Sequence, residues 1–429
     1  MKHTYIRDYR SRAPMRAFSR TGIKKSATTT LVEQKNLPLA SHVSKRRTFG
    51  TLKNFFPGFL EIVLSFLPLK ERGMLMTVNL EFHRIIPSLP MDCMSVPYDP
   101  VIFQKLVQTF RTKLIGIKAD RLDALVPTTV KRLSINSVED LDKNIGRYQN
   151  LVELRIDCLE RRSEENYFGE ALSKVAPQLR ILHIRYRNFS WVFQDFTNLE
   201  ELCIVWCEEI PDIAIQNMRH LKRLYLRDQH FPPSAFIGLD SLELFHFDNC
   251  RTICNNTFIG MPNLKNLIMS GICLNEISDE AFVHLRKLES LTLPPDIYGQ
   301  CKFTLEIFKH LPNLKSLDAA FSSLLTPELF KVLPPLDFLD IRQCSYNRMK
   351  LSRNMFSELC VKEMNIDASY VYLSRADFDC LSKNGLKTLN YILDWNAETR
   401  FSPITYKKVV FTRANFKKFI KVALRNSVS

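Results

Sequence analysis

The chain has 429 residues, 45% of them apolar and 24% charged, which is enough for two or more cooperative units and too apolar for a disordered protein. None of its twelve glycines falls at the spacing of a GxGxxG or Walker-type loop, none of its nine histidines precedes Glu, and its closest cysteine pairs, Cys203 with Cys207 and Cys250 with Cys254, are four apart. The common nucleotide-binding and metal signatures are therefore excluded, and the sequence predicts a chain with no cofactor and no dedicated metal site.

The net charge of +15 belongs to the ends: residues 1–50 hold twelve Lys and Arg against Asp8 and Glu33, residues 400–429 hold eight and no acid, and the 349 residues between carry −3. No apolar run approaches the roughly 18 to 20 residues that span a bilayer, and the N-terminus has no apolar stretch of the secretory kind. Eleven cysteines, an odd number, read as reduced thiols. The expectation is a soluble intracellular protein, cytoplasmic or nuclear.

Residues 1–48 are rich in Arg, Lys, Ser and Thr and read as a solvated basic tail. A nuclear signal centred on Lys45-Arg46-Arg47 and a transit peptide remain alternatives to a tail without an address. At 49–90 the character changes. In the run from Phe55 to Arg72, Leu60, Leu64 and Leu67 fall at helical spacing and Pro68 ends the helix. A second helix runs from Met74 to Ile86, with Pro87 stopping it. Residues 91–129, punctuated by Pro97, Pro100 and Pro127, read as a connection and a half-repeat that caps the region from 130 onward.

From 130 to 395 an internal repeat dominates. L-x-x-L-x-L recurs twelve times, with first positions at Val130, Leu151, Leu179, Leu199, Leu221, Leu242, Leu264, Leu288, Leu314, Leu336, Val361 and Leu386, so eleven steps of 20 to 28 residues cover 256. Eight positions after a first leucine stand Cys207, Cys250 and Cys344; six positions before stand Phe193, Phe236, Phe258, Phe282, Phe308 and Phe330. This pattern resembles the leucine-rich-repeat family. The resemblance implies an α/β solenoid, a horseshoe with a parallel concave sheet and short convex helices, in which the phenylalanines form a stacked column. The segment from Ile277 to Leu285, with Ser278 as an N-cap type start, exemplifies a convex helix. After 396, Arg413 to Arg425 forms a basic amphipathic helix, read as a terminal cap; a membrane-surface or nucleic-acid helix is the alternative, and nucleic acid is not the expected partner.

No nucleophile motif argues for catalysis. The segment 55–86 carries the functional signal. Its order of Phe56-Pro57, apolar helix, Leu67-Pro68-Leu69 break and second helix with Val78 and Phe82 resembles the F-box motif. Followed by leucine-rich repeats, it is similar to the substrate receptors of SCF-type cullin-RING ubiquitin ligases. The resemblance implies that Pro57, Leu60, Leu64, Leu67, Pro68, Leu69, Val78 and Phe82 bind a Skp-family adaptor and, through it, a cullin scaffold. A helical pair that only caps the solenoid is the alternative.

The second surface is the open sheet face, since positions 3, 5 and 7 of each repeat alternate away from the core. They give Arg132, Arg155, His183, Arg185, Arg223, Tyr225 and Arg227 early, with Tyr186 and Trp206 one place further on, and Asp318, Asp340, Arg342, Glu363, Asn365 and Asp367 late. Arginines interleaved with aromatics suit a protein substrate that is acidic or phosphorylated, with Arg155, His183, Arg185, Trp206, Arg223, Tyr225 and Arg227 as the candidate contacts. Glu153, Asp157 and Glu201 lie in the same region, so a neutralised mixed-charge face is the other expectation.

Overall fold

A computed structural model describes residues 91–93, 114–119, 122, 126, 128–138, 141–158, 172–185, 195–206, 215–216, 218–271, 276–295, 301–320, 322–342, 355–367 and 375–392. All belong to the second of two compact units, Gly58–Ser429, the first being Met1–Pro57. The basic tail, the F-box-like segment 55–86 with its adaptor-binding candidates, and the C-terminal basic helix lie outside the described residues, as do Tyr186, Phe193, Cys207 and Cys344.

Every described strand joins one parallel sheet whose spatial order is the order of the chain. The strands are β1 (Met91–Cys93), β2 (Leu114–Ala119), β3 (Arg132–Ile135), β4 (Glu153–Asp157), β5 (Ile181–Arg185), β6 (Glu201–Val205) and β7 (Arg223–Arg227). They continue as β8 (Leu244–Asp248), β9 (Asn266–Ser270), β10 (Ser290–Thr292), β11 (Ser316–Asp318), β12 (Leu336–Ile341), β13 (Val361–Asp367) and β14 (Thr388–Ile392). With each repeat bonded to the next, the fold is the leucine-rich-repeat solenoid that the twelve-fold pattern predicts. β1 and β2 extend the sheet ahead of Val130, with Ile117 and Ala119 paired to Leu133 and Ile135.

The register keeps like with like. Leu154, Leu182, Leu202, Leu224, Phe245 and Leu267 pair in sequence across β4 to β9, so the second leucine of each repeat stacks on its neighbour's. All three apolar positions of the repeats from Val130 to Val361 are buried, forming one continuous core. A further column, three residues before the first leucine, joins the same core: Tyr148, Phe196, Met218, Leu239, Met261 and Leu285 are buried there. Their carbonyls accept the backbone N–H of the first leucine, as in Tyr148 with Leu151 and Met261 with Leu264, at 3.1 Å in both. The same turn thus recurs in repeat after repeat.

The return segments are mostly 3₁₀ where short helices are expected. They include Pro233–Phe236, Asn255–Gly260, Asp279–His284 and Leu305–His310, while α-helix is found among the described residues at Leu172 and Ser173 and in α1 (Leu141–Asn144), α2 (Leu329–Val332) and α3 (Arg375–Lys383). A 3₁₀ segment rises about 2.0 Å per residue against about 1.5 Å for an α-helix, so a short repeat crosses the core's width with fewer residues. Ser278 occupies the N-cap position without a side-chain capping bond. Its Oγ instead accepts from Asn255 Nδ2 of the preceding repeat at 2.8 Å, and its N–H donates to Asn255 Oδ1 at 2.8 Å.

Phe236, Phe258, Phe282, Phe308 and Phe330 are buried in the same place of successive repeats. The ring contacts between the first two run through Phe245, whose centroid lies 5.6 Å from Phe236 and 6.4 Å from Phe258. Gly260 stands where adjacent return segments approach: a Cβ there would lie 2.1 Å from the Phe236 carbonyl oxygen. An amide ladder adds to the packing. Asn198, Asn263 and Asn313, each directly before a first leucine, donate through Nδ2 to carbonyls of Pro177, Asp240 and Arg286 in the repeat before, at 2.7, 2.8 and 2.8 Å.

Candidate interaction surface

On β3 to β8 the side chains that alternate with the buried leucines form an open face, and at its first strands the charges are closely paired. Glu153 is 3% exposed and receives Arg132 Nε at 2.6 Å and Arg155 Nε at 2.5 Å. Burial alone would raise its pKa, but the two guanidiniums outweigh it and hold the carboxyl below its ordinary value. Glu201 repeats the device two strands on, bonded to His183 Nε2 at 2.7 Å and Arg223 Nε at 2.6 Å. There too burial opposes ionisation, and His183 with Arg223 prevails, bringing the carboxyl to about 2.

Arg185 and Arg227 are held differently. Both guanidiniums lie over the ring of Trp206, at 5.1 and 5.5 Å from its centroid. Each has carboxylates near it: Asp157 lies 3.5 Å from Arg185, and Asp248 and Asp228 lie 3.2 and 3.6 Å from Arg227. Neither Nε makes an aligned hydrogen bond among the described residues, although both atoms are buried and Asp248 Oδ2 is the atom 3.2 Å from Arg227 Nε. Trp206 itself donates through Nε1 to Asp228 Oδ2.

Trp206 also has φ of +56°, the left-handed region that bulky side chains seldom occupy. It begins a column of such corners, seven residues after the first leucine, continued by Asp228 (+52°), Asn249 (+53°) and Gly271 (+88°). Asp, Asn and Gly are the residues that tolerate this conformation; Trp is the exception, and it sits between the two arginines.

Next to this stack the face turns less polar. Cys203, Tyr225, His246 and Ile268 are aligned across β6 to β9, and Tyr225 meets His246 edge to face at 6.1 Å. Burial keeps His246 below its ordinary pKa and pushes the Cys203 thiol up to about 12, so both are uncharged at neutral pH. Further along, Asp340 is 2% exposed and accepts Arg342 Nε at 2.8 Å on each oxygen and Asn365 Nδ2 at 2.9 Å. Asn390 extends this network to Asn365 at 2.7 Å.

The structure therefore brings Arg155, His183, Arg185, Trp206, Arg223, Tyr225 and Arg227 together on one face. Among the described residues of β3 to β8 and their corners, five arginines meet Glu153, Asp157, Glu201, Asp228 and Asp248, a formal balance of zero. The expected cysteine column is represented by Cys250, buried, with Sγ 3.5 Å from the Asp248 carbonyl and its thiol pushed up to about 12 by burial. In the equivalent place of the preceding repeat stands Gln229, whose Nε2 donates to the carbonyls of Arg227 and Asp228. Among the described residues, no group of three or more His, Cys, Asp or Glu is placed to hold a metal ion. Among the same residues, no helix is long and apolar enough to cross a membrane.

No family model matches the chain. It is similar to Toll-like receptor 3 of Boselaphus tragocamelus, 22% identical over 306 residues, which cover 65% of this chain and 32% of the receptor. It is also similar to receptor like protein 24 of Arabidopsis thaliana, 29% identical over 171 residues, 38% of this chain and 19% of that protein. The chain thus spans a third or less of these relatives. Among solved structures it is similar to a chain of the yeast Rad7 and Elc1 complex, with a TM-score of 0.37 and 20% identity over 60% of this chain and 70% of that one.

Proposed function

We propose that this chain is a non-catalytic protein-interaction scaffold serving as the substrate-recognition subunit of an SCF-type ubiquitin ligase. The F-box-like residues Pro57, Leu60, Leu64, Leu67, Pro68, Leu69, Val78 and Phe82 bind the Skp-family adaptor, and the repeat sheet holds the substrate protein. Rate enhancement comes from raised local concentration of the target lysine near the ubiquitin-loaded enzyme.

The observation that supports the scaffold half is the open sheet face, whose polar groups are largely satisfied by one another and whose rigid repeats leave it available to a partner. The ligase half rests on the order of motifs in the chain, an F-box-like pair of helices followed by repeats. Co-purification of an endogenous Skp-family adaptor with the full-length chain, lost on Leu67→Asp and on Pro68→Ala, is the expected result. Adaptor recovery unchanged by both substitutions would leave a repeat scaffold outside the ubiquitin system.

A further inference from the structure

Three features coincide at one point of the open face. Trp206 holds a left-handed backbone, a conformation that strains a bulky residue. Arg185 Nε and Arg227 Nε are buried donors that make no aligned hydrogen bond among the described residues. Arg227 Nε lies 3.2 Å from Asp248 Oδ2 without the alignment of a hydrogen bond, whereas Arg132, Arg155, Arg223 and Arg342 each make an aligned Nε bond to a carboxylate. Both guanidinium carbons lie over the indole, and neither Nε is aligned to hydrogen-bond the neighbouring Asp157 or Asp248.

The two Nε atoms are out of a partner's reach, but the arginine side chains are 29% and 33% exposed, so a partner meets the guanidiniums through their terminal nitrogens, and the local charge sets what it can offer. Among the described residues around the stack, two arginines face Asp157, Asp228 and Asp248, one carboxylate in excess. A further carboxylate or phosphate would meet these acids at close range. An uncharged acceptor such as a peptide carbonyl would not. The neighbouring ground agrees, since Tyr225, an uncharged His246 and Ile268 continue from the stack across three adjacent strands, with half-buried Leu244 beside them. An apolar centre with aromatic and arginine anchors inside a polar rim is the anatomy of an interaction hot spot.

We infer that the Arg185–Trp206–Arg227 stack with the Tyr225–His246–Ile268 row is the anchor for an uncharged segment of a protein partner, which seats an apolar side chain on the row and offers main-chain carbonyls to the two arginines. The chemistry recognised is a neutral, apolar peptide segment and not an acidic or phosphorylated one. The inference rests on the chain's being a protein-binding scaffold and is independent of the adaptor assignment. It deepens the substrate half of that reading.

The test uses the full-length chain and a phage-displayed random dodecapeptide library, panned against wild type and counter-selected on Trp206→Asn. Asparagine accepts the left-handed corner, so this variant removes the platform without straining the backbone. The expected winners have net charge near zero and carry aromatic or aliphatic residues. Synthetic copies should bind at least tenfold more weakly to Trp206→Asn and Tyr225→Ala, with less than about twofold change between 0.1 and 0.5 M NaCl. Unchanged thermal unfolding of Trp206→Asn separates lost contact from lost fold. Acidic winners whose affinity falls steeply with salt, winners indifferent to Trp206→Asn, or no enrichment over the counter-selection each overturn the inference. Adaptor co-purification should be untouched by Trp206→Asn.

Discussion

Replacing Glu201 by Gln tests whether the charged pairs on the sheet face are part of the fold's stability or decoration. The carboxyl lies between His183 and Arg223, its side chain 16% exposed, and is held at about 2 against an ordinary 4.5. That difference corresponds to roughly 3 kcal/mol of preference for the ionised form in the folded state. The depressed folded pKa fixes the sign: the stabilisation is fully present above pH 4.5 and is lost as pH falls through about 2. At pH 3 about 1 kcal/mol of it should remain. Urea unfolding of full-length wild type and Glu201→Gln, followed by circular dichroism at pH 7 and pH 3, isolates this group because other titrations are common to both proteins. The gap between the two proteins should shrink by about 2 kcal/mol on acidification. Glu200→Gln serves as the contrast. Its carboxylate meets Arg180 and Lys222 on an exposed surface, where such pairs contribute about 0–1 kcal/mol, so its gap should barely move with pH. Equal pH responses for the two variants, or a Glu201→Gln gap that stays constant, would refute the reasoning.

Gly271→Ala should destabilise by at least about 1–3 kcal/mol in thermal unfolding, since φ is +88° and a Cβ would lie 2.3 Å from Asn249 Oδ1 and 2.5 Å from Asn249 N. Leu224→Ala, at a fully buried position stacked between Leu202 and Phe245, should cost about 2–5 kcal/mol in urea unfolding. Asn263→Ala removes the bond to the Asp240 carbonyl and should cost about 1 kcal/mol in the same assay, with no loss of partner binding.

The leucine register is legible in the sequence because each repeat imposes the same burial on the same three positions, and a period of about 23 residues over twelve copies leaves little freedom in alignment. β1 and β2 do not announce themselves as strands, because the residues there keep only fragments of the pattern, such as Ile117 and Ala119, and the prolines around them suggest a linker. The asparagines ahead of Leu199, Leu264 and Leu314 form a column that the leucine spacing does not single out; the cysteine column eight residues after the leucine is more conspicuous, yet in one repeat Gln229 fills it. On the open face, the sequence supplies the right side chains and both signs of charge. Which carboxylate takes which arginine depends on side-chain geometry between strands about 20 or more residues apart, so that Glu153 serves two arginines while Arg185 and Arg227 turn to Trp206 is not readable from spacing. The left-handed corner is equally hidden, because Gly271, Asn249 and Asp228 advertise it and Trp206 does not.

If one part of the chain recruits a ligase scaffold while the repeats hold a separate protein, deleting the first should spare the partners of the second. Affinity purification of the full-length chain beside a version lacking residues 52–90, with partners identified by mass spectrometry, tests this most directly. The predicted outcome is a Skp-family adaptor and a cullin with the full-length chain alone, and a set of further partners common to both. An adaptor recovered equally with both versions, or with neither, would contradict it.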